Sequence, residues 1–332
     1  MSTLVTGGAG FIGSHLIERL LSDTDRQVVC VDNFNDYYDP KLKRANVASF
    51  VDDRRVSVVE RDFRDATAME EVFEQFCIGE VIHLGGFAGV RYSLRHPTVY
   101  HETNVRGTLT LLELARKHPV ERFLLASSAT VYGHGAVAPF AEDSSLGLPL
   151  SPYGTSKRSA ELLCETYHRV YGVPAVSLRL FSVYGPRLRP DLAMSIFADK
   201  IFNGMPLPVY GDGTIRRDFT HVDDVCTGIL KALSTARIVG KAVNIGHDEP
   251  VEMSQLVQLL EDAAGIRARV DYQPEHQGDM PVTHADLSRA RELLGFEPTI
   301  DIEVGVNQFV RWFRENRSTN NGRIETGSGY RF

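Results

Sequence analysis

An α/β protein with a doubly wound parallel sheet and a smaller mixed α/β lobe is what this 332-residue sequence predicts. Two patterns lead there. Short β-branched runs alternate with helical apolar stripes through roughly the first 180 residues, and beyond Leu180 that regularity gives way to a region dense in Pro and Gly. Composition agrees: 43% apolar and 24% charged residues, with a net charge of −7, describe a globular chain long enough for one large domain or two ordinary ones.

Taken in order, strands are predicted at Leu4–Thr6, Val28–Asp32, Val56–Glu60, Val81–Leu84, Arg122–Ala126 and Ala175–Leu180, each a compact aliphatic run. Helix Phe11–Ser22 lies between the first two and carries Ile12, Leu16 and Leu20 on one stripe, widened by Ile17 and Leu21, so that face should lie on the sheet. Gly185-Pro186, Arg189-Pro190, Met205-Pro206 and Gly211-Asp212-Gly213 then punctuate a loop-rich region. Val222–Ser234 and Ala242–Ile245 again read as helix and strand and are expected to return to the first sheet. The expected division is therefore residues 1–179 with 222–246 in the larger unit and 180–221 with 247–317 in the smaller lobe. Ile302, Val306, Phe309, Val310 and Phe313 mark a last helix beside the single Trp312, and residues 318–332 read as a loosely held polar tail.

Several classes fall away. With a net charge of −7 there is no global field to hold a polyanion, so nucleic acid is not an expected partner. Neither a signal-peptide apolar region nor an uninterrupted run of ~18 apolar residues is seen, so no secretion and no membrane span are expected. Cys30, Cys77, Cys164 and Cys226 are widely spaced without a CxxC, which points to no zinc site, no disulfide framework and a reducing, cytoplasmic compartment. His83 ends a strand and His15 opens a helix, both read as structural, and no metal-ligand spacing links the eleven histidines.

The chemistry begins at Thr6-Gly7-Gly8-Ala9-Gly10-Phe11-Ile12-Gly13, which follows the first strand and opens the first helix. Glycines there let the chain turn tightly, let a pyrophosphate approach backbone, and bring helix close to strand, while the helix N-terminus offers unpaired N–H groups to phosphate. Asp32 closes the second strand at the distance where a carboxylate holds the adenosine ribose 2′-OH and repels a 2′-phosphate, so the expected cofactor is NAD in a Rossmann arrangement. Asp62, ending the third strand, is either an adenine contact or the cap of the helix after Asp65.

Tyr153-Gly154-Thr155-Ser156-Lys157 begins a helix that runs to Tyr171, with Tyr153 and Lys157 one turn apart on one face. A free Tyr titrates near ~10, and bringing it to neutral pH takes ~4 kcal/mol, which Lys157 and an oxidised nicotinamide together can supply in a dry cleft. Ser128, after the fifth strand, stands at the carboxyl edge of the sheet where its hydroxyl can relay the proton.

With these motifs the chain resembles the extended short-chain dehydrogenase/reductase family over about residues 1–315. Within that family, the stretches Val31–Arg44 and Tyr184–Asp191 resemble UDP-glucuronate 4-epimerases. The resemblance implies an isomerase with recycled NAD, a UDP-sugar bound between two lobes, and a homodimer joined through sheet-flanking helices. It implies a cofactor pocket of Gly7, Gly10, Phe11, Ile12, Gly13, Asp32, Asn33, Asn35, Asp62, Phe63, Leu84, Gly85, Gly86, Lys157 and Phe181, with Asn104 beneath the active site. For the substrate it implies Arg91, Ser93, Thr130, Tyr153, Ser182, Arg187 and Arg189 around the sugar. Arg217 would pair with the diphosphate, Val209 and Tyr210 would bracket the uracil, and Asp279 would hold its ribose.

The chain departs from the family pattern at Gly85, Gly86 and Phe87, where two alanines and a glutamine are usual, at Ser182, where Thr is usual, and at Leu188, where Gln is common. The acids that related dehydratases carry beside the catalytic hydroxyl align with Ala129 and Thr130, so 4,6-dehydration loses its acid/base. The expected reaction is 4-epimerisation of UDP-glucuronate, with Arg189 clamping the carboxylate against CO2 loss. UDP-glucose 4-epimerase and UDP-glucuronate decarboxylase share nearly every motif and stand as alternatives. A non-catalytic NAD sensor is the alternative of a different class, and the survival of Ser128, Tyr153 and Lys157 argues against it.

Overall fold

The structure, a computed structural model, describes residues 1–274 and 280–319. Its strands are β1 (Ser2–Thr6), β2 (Gln27–Asp32), β3 (Val56–Glu60), β4 (Ile78–His83), β5 (Arg122–Ser128), β6 (Ala175–Leu180), β7 (Ser182–Tyr184), β8 (Pro206–Tyr210), β9 (Arg216–His221), β10 (Ala242–Ile245), β11 (Pro250–Glu252) and β12 (Arg269–Gln273). Seven of them form one sheet in the order β10-β6-β5-β4-β1-β2-β3, every pair parallel. Two smaller sheets stand apart, β11-β9-β7 and β12-β8. The order reverses between β1 and β4, so the crevice for a ligand opens beyond the carboxyl ends of those two strands.

Both faces of the large sheet are covered, as its aliphatic strands require. On one face helix Phe11–Asp23 buries Leu16, Ile17 and Leu20 with helix Val222–Ser234 packed beside it. On the other, helices Ala66–Phe76, Gly107–Lys117 and Pro152–Tyr171 bury Met69, Val72, Phe73, Leu111, Leu112, Ala160 and Cys164. Each such side chain contributes about 2 kcal/mol by leaving water.

The predicted strands and the return of 242–245 to the sheet are present, with differences at their ends. β1 and β4 both start early, at Ser2 and Ile78, because Glu80 breaks the apolar run yet is satisfied inside the sheet. It accepts from Thr3 Oγ1 at 2.6 Å and from Arg26 Nη2 at 2.8 Å. β5 runs on to Ser128. Between Val90 and Arg106 two short helices lead into a π-helical turn, His101–Arg106, a geometry that apolar spacing does not reveal. The last helix, Ile302–Thr319, extends into the expected tail, whose residues 320–332 lie outside the described part. All four cysteines are free thiols, and among the described residues no helix is long and apolar enough to cross a membrane.

Candidate active site

The loop after β1 is shaped by close approach. Gly7 has φ +67°, and a Cβ there would lie 2.8 Å from Gly85 Cα, while a Cβ at Gly13 would lie 2.3 Å from the Gly7 carbonyl. Gly10 caps helix Phe11–Asp23 without a side-chain acceptor, and no acidic residue occupies the first turn, so the N–H groups around Phe11, Ile12 and Gly13 face the crevice end of the helix without a built-in anion. That cradle suits a pyrophosphate.

Asp32, at the end of β2, is buried and accepts from Phe34 N at 2.9 Å. Lys43 lies 3.6 Å away, equally buried, and donates to Asn35 Oδ1 at 3.1 Å. Burial pushes the Lys43 amine down and Asp32 holds it up. Asn33 donates to Asp62 at 3.1 Å. Asp62 does not cap a helix; Asp65 does, accepting from Ala68 N at 3.1 Å. Against the cost of burial, hydrogen bonds from Arg64 and Asn33 hold Asp62 below the usual carboxylate range.

Gly85 is explained by Phe63, whose ring would stand 2.7 Å from a Cβ at that position. A Cβ at Gly86 would come within 2.7 Å of Asn104 Oδ1. In this chain the two glycines make room for Phe63 and Asn104. Asn104, on the π-helical turn, clasps the backbone of Phe87 with both ends of its amide, at 2.9 Å each, and also donates to Ser156 Oγ at 2.9 Å. The loop after β4 is thereby tied to the helix that carries Tyr153.

His83 is a structural residue in this frame. Thr108 gives its hydroxyl proton to Asn104 O at 2.6 Å and so accepts from His83 Nε2, 3.1 Å away. Nδ1 is then the acceptor for Thr6 Oγ1 at 2.7 Å. Full burial, with Lys157 nearby, drives its pKa to about 3, so it is neutral. Among the described residues one trio, Glu70, Glu74 and His118, has the mutual spacing of metal ligands, but Glu70 is already paired with Lys117.

Ser151 caps the Tyr153 helix, accepting from Gly154 N at 3.1 Å, and Pro152 begins it. Thr130 directs both its amide and its hydroxyl at Ser128 Oγ, at 3.2 and 3.0 Å. Burial raises the Tyr153 phenol, while the Ser128 hydrogen bond and the nearby Arg189 charge lower it. Lys157 is buried and donates to Ala126 O at 2.8 Å. Desolvation brings its pKa down to about 8, opposed chiefly by Glu161.

The remaining predicted residues divide. Arg189 is nearly enclosed, and its Nε and Nη2 grip Asp191 at 3.0 and 2.7 Å, so the fork expected to be open toward substrate already holds a carboxylate on one edge. Arg187, with φ +64°, turns the other way, to Glu18 at 2.7 Å and Ser14 at 3.3 Å on the glycine-loop helix. Arg91 stacks 3.9 Å over the Tyr210 ring, bringing those two predicted residues together, and Val209 beside them is buried. Ser93 is fully buried and donates to Val90 O at 2.6 Å, which makes its hydroxyl a helix contact. Ser182 begins β7 opposite Phe219, and Phe181 is buried 6.5 Å from the Tyr132 and Phe140 rings. Arg217 lies on β9 and donates to Arg216 O at 2.9 Å. Leu84 follows β4, its amide donating to Thr6 O at 3.2 Å. Asp279 lies outside the described residues.

Sequence reading missed an aromatic cluster beside Tyr153. Tyr37 meets Phe87 and Tyr92 at 5.1 Å each, and Tyr100 meets Tyr153 at 5.9 Å. The Tyr37 hydroxyl donates to Ala88 O at 3.2 Å and lies 3.3 Å from Asp191. The loop after β2 thus closes over the loop after β4 and reaches the Arg189 pair. Only the density of tyrosines at 37, 38, 92 and 100 hinted at this.

Comparison with known proteins follows the same lines. The profile of the NAD dependent epimerase/dehydratase family matches residues 3–246. A UDP-glucuronate 4-epimerase of Thermodesulfobacterium geofontis is 40% identical over 314 residues, covering 94% of this chain and 96% of that one. The crystal structure of UDP-glucuronic acid 4-epimerase from Bacillus cereus, in complex with UDP-glucuronic acid and NAD, superposes with a TM-score of 0.90 at 36% identity, covering 95% of this chain and all of that one. A dTDP-glucose 4,6-dehydratase from Streptomyces venezuelae with NAD bound superposes almost as well, with a TM-score of 0.89 at 33% identity over 96% of this chain and 98% of that one.

Proposed function

Since the chain belongs to the NAD dependent epimerase/dehydratase family, we propose that it is an isomerase that interconverts UDP-glucuronate and UDP-galacturonate by inverting C4. The observation that carries this reading is the ordered group Thr130–Ser128–Tyr153 with Lys157 one turn on, combined with Ala129 and Thr130 where a dehydratase needs acids. Tyr153 takes the proton of the sugar 4-OH, Ser128 donates to the resulting phenolate, and Lys157 balances its charge. NAD held by the glycine loop and Asp32 would supply the hydride acceptor and donor that inversion at C4 requires. Gly7, Gly10 and Gly13 would admit the pyrophosphate, Asp32 with Lys43 the adenosine ribose, and Asn33, Asp62 and Phe63 the adenine side.

A 4-keto uronate is a β-keto acid, so its carboxylate must be kept out of the plane in which CO2 departs. Because Asp191 occupies the Nε/Nη2 edge of Arg189, the clamp is the end-on edge of that guanidinium, its plane set by Asp191. Arg91 on Tyr210 supports a uracil platform, and Arg217 a diphosphate contact. A homodimer is proposed through helices Gly107–Lys117 and Pro152–Tyr171, which expose Leu109, Leu162, Val170 and Tyr171. The four free thiols support a reducing, cytoplasmic setting.

The test is to incubate purified protein with NAD and UDP-glucuronate and resolve the products by ion exchange and proton NMR. UDP-galacturonate without UDP-xylose is expected. UDP-xylose would make the chain a decarboxylase, and turnover of UDP-glucose alone would make it a neutral-sugar epimerase.

A further inference from the structure

Glu161 is a buried carboxylate that the chemistry above does not use. It sits one turn beyond Lys157 on the same helix, 4% exposed. Ser127 Oγ donates to it at 2.6 Å, Arg179 Nε and Nη2 at 3.0 Å each, and Arg158 Nη1 at 3.1 Å. A buried ion pair of this kind is a poor stabiliser compared with apolar residues of similar volume, so stability alone does not account for it.

Its placement does. Consecutive residues of β5 meet the two charged groups: Ala126 O receives Lys157, and Ser127 goes to Glu161. The strand that delivers Ser128 is tied twice to the helix that delivers Tyr153. Arg179 extends the tie to β6 and lies 4.9 Å over the Tyr132 ring, whose hydroxyl donates to Asn244 on β10 at 2.7 Å. Around Lys157 stand Tyr153, Arg158, Glu161 and Cys164 from its own helix, neutral His83 from β4, neutral groups of β5, and Arg179 from β6 beyond Glu161. Of these groups Glu161 alone is a carboxylate.

We propose that Glu161, fixed by Ser127 and Arg179, is the positioning counter-ion of the Tyr153–Lys157 pair: it keeps Lys157 protonated inside the cleft and thereby sets the pH range over which Tyr153 acts as base. This deepens, and rests on, the assignment of Tyr153 and Lys157 above. Burial works against the Lys157 charge, and Glu161 is the main group opposing that effect.

The experiment is the pH profile of kcat/KM for UDP-glucuronate in the NAD-loaded wild type and in Glu161→Gln, Glu161→Asp, Arg179→Gln and Ser127→Ala. Glu161→Gln should bring the alkaline limb down by about one pH unit, with no upward movement of the acid limb, because loss of the negative charge disfavours the Lys157 ammonium and favours the Tyr153 phenolate. Arg179→Gln releases the carboxylate to act on Lys157 alone and should move the alkaline limb up. Glu161→Asp should restore the wild-type limbs. A 13C NMR titration of the Lys157 ε-carbon in the cofactor-free chain, assigned by its loss in Lys157→Met, should report the same displacements without turnover. Limbs that stay in place while kcat falls would reduce Glu161 to a structural role and overturn the proposal. If Glu161→Gln does not fold, the upward shift in Arg179→Gln and a smaller downward one in Ser127→Ala carry the test, and unmoved limbs in both overturn it. Tyr153→Phe, run in parallel, separates the two levels. Retained turnover there defeats the base assignment itself, whereas lost turnover with unmoved limbs in Glu161→Gln defeats the counter-ion alone.

Discussion

At Ser128 the hydroxyl proton has one direction left, because the Thr130 amide and hydroxyl both point their hydrogens at its oxygen. It is aimed at the Tyr153 oxygen, which in the proposed reaction would let a weak acid serve as base without moving parts. Tyr153→Phe should therefore lower kcat by about 10³-fold or more while NAD still copurifies or binds, read by turnover and cofactor titration in parallel. Lys157 adds a pH signature. Its pKa is lowered to about 8, so it loses its proton as pH rises through that value, and kcat/KM should decline on the alkaline side near pH 8. The sign for folding is opposite: the unfolded chain binds this proton more tightly, so the Lys157 contribution to stability grows between about pH 8 and the ordinary lysine range, measurable in urea titrations. At Arg189 the prediction concerns product. Arg189→Ala should leave a pentose nucleotide, UDP-xylose, among the products, and it also leaves half-buried Asp191 with only the Tyr37 hydroxyl, so a drop in stability of about 1–3 kcal/mol should accompany it.

Among the elements, the loop after β4 carries Gly85 and Gly86 where the family resemblance leads to an expectation of alanines, and packing accounts for the glycines. Phe63 fills the space that an alanine methyl at 85 would need, and its ring also packs edge-on against His83 at 5.0 Å. Gly85→Ala should therefore destabilise by roughly 1–3 kcal/mol and weaken NAD binding, with Phe63→Leu restoring part of both, followed by thermal melting and cofactor titration. The strands, the glycine loop and the Tyr153 helix were legible in the sequence because their signals are local: aliphatic runs, turn glycines, a fixed spacing from Tyr153 to Lys157. The contacts of Tyr37 with Phe87, Tyr92 and Asp191 were not, since they join separate loops that share no periodicity, and the Arg189–Asp191 pair, two residues apart, lies in an irregular loop where spacing does not reveal which side chains turn toward each other. Glu161 and Arg179 lay between these extremes. An arginine inside the run Ala175–Leu180, and a glutamate beside Ala160 on a buried helix face, are charges where water is absent, and each asks for the other.

For the whole molecule, the reversal of strand order between β1 and β4 decides where the candidate site lies: the glycine loop and the Gly85 loop follow, and Asp32 and Ser128 occupy, the carboxyl ends of β1, β4, β2 and β5. The two helices proposed for the dimer include the one that carries Tyr153, so in the proposed dimer assembly would bear directly on that helix. Leu162→Glu together with Val170→Glu should convert a sedimenting dimer to monomer, and an unchanged sedimentation coefficient would reject that interface.

The path of the chain also limits how such a protein can be rebuilt. β10, the edge strand beside β6, arrives only after residues 182–221 have crossed into the small sheets, and helix Val222–Ser234 returns to cover the glycine-loop helix. A recombination joint placed at residue 180 would strip the main sheet of its border and expose the apolar face beneath. Chimeras that trade sugar specificity between relatives thus need at least three junctions, near 180, 222 and 246, and a single-crossover library should yield mostly insoluble protein.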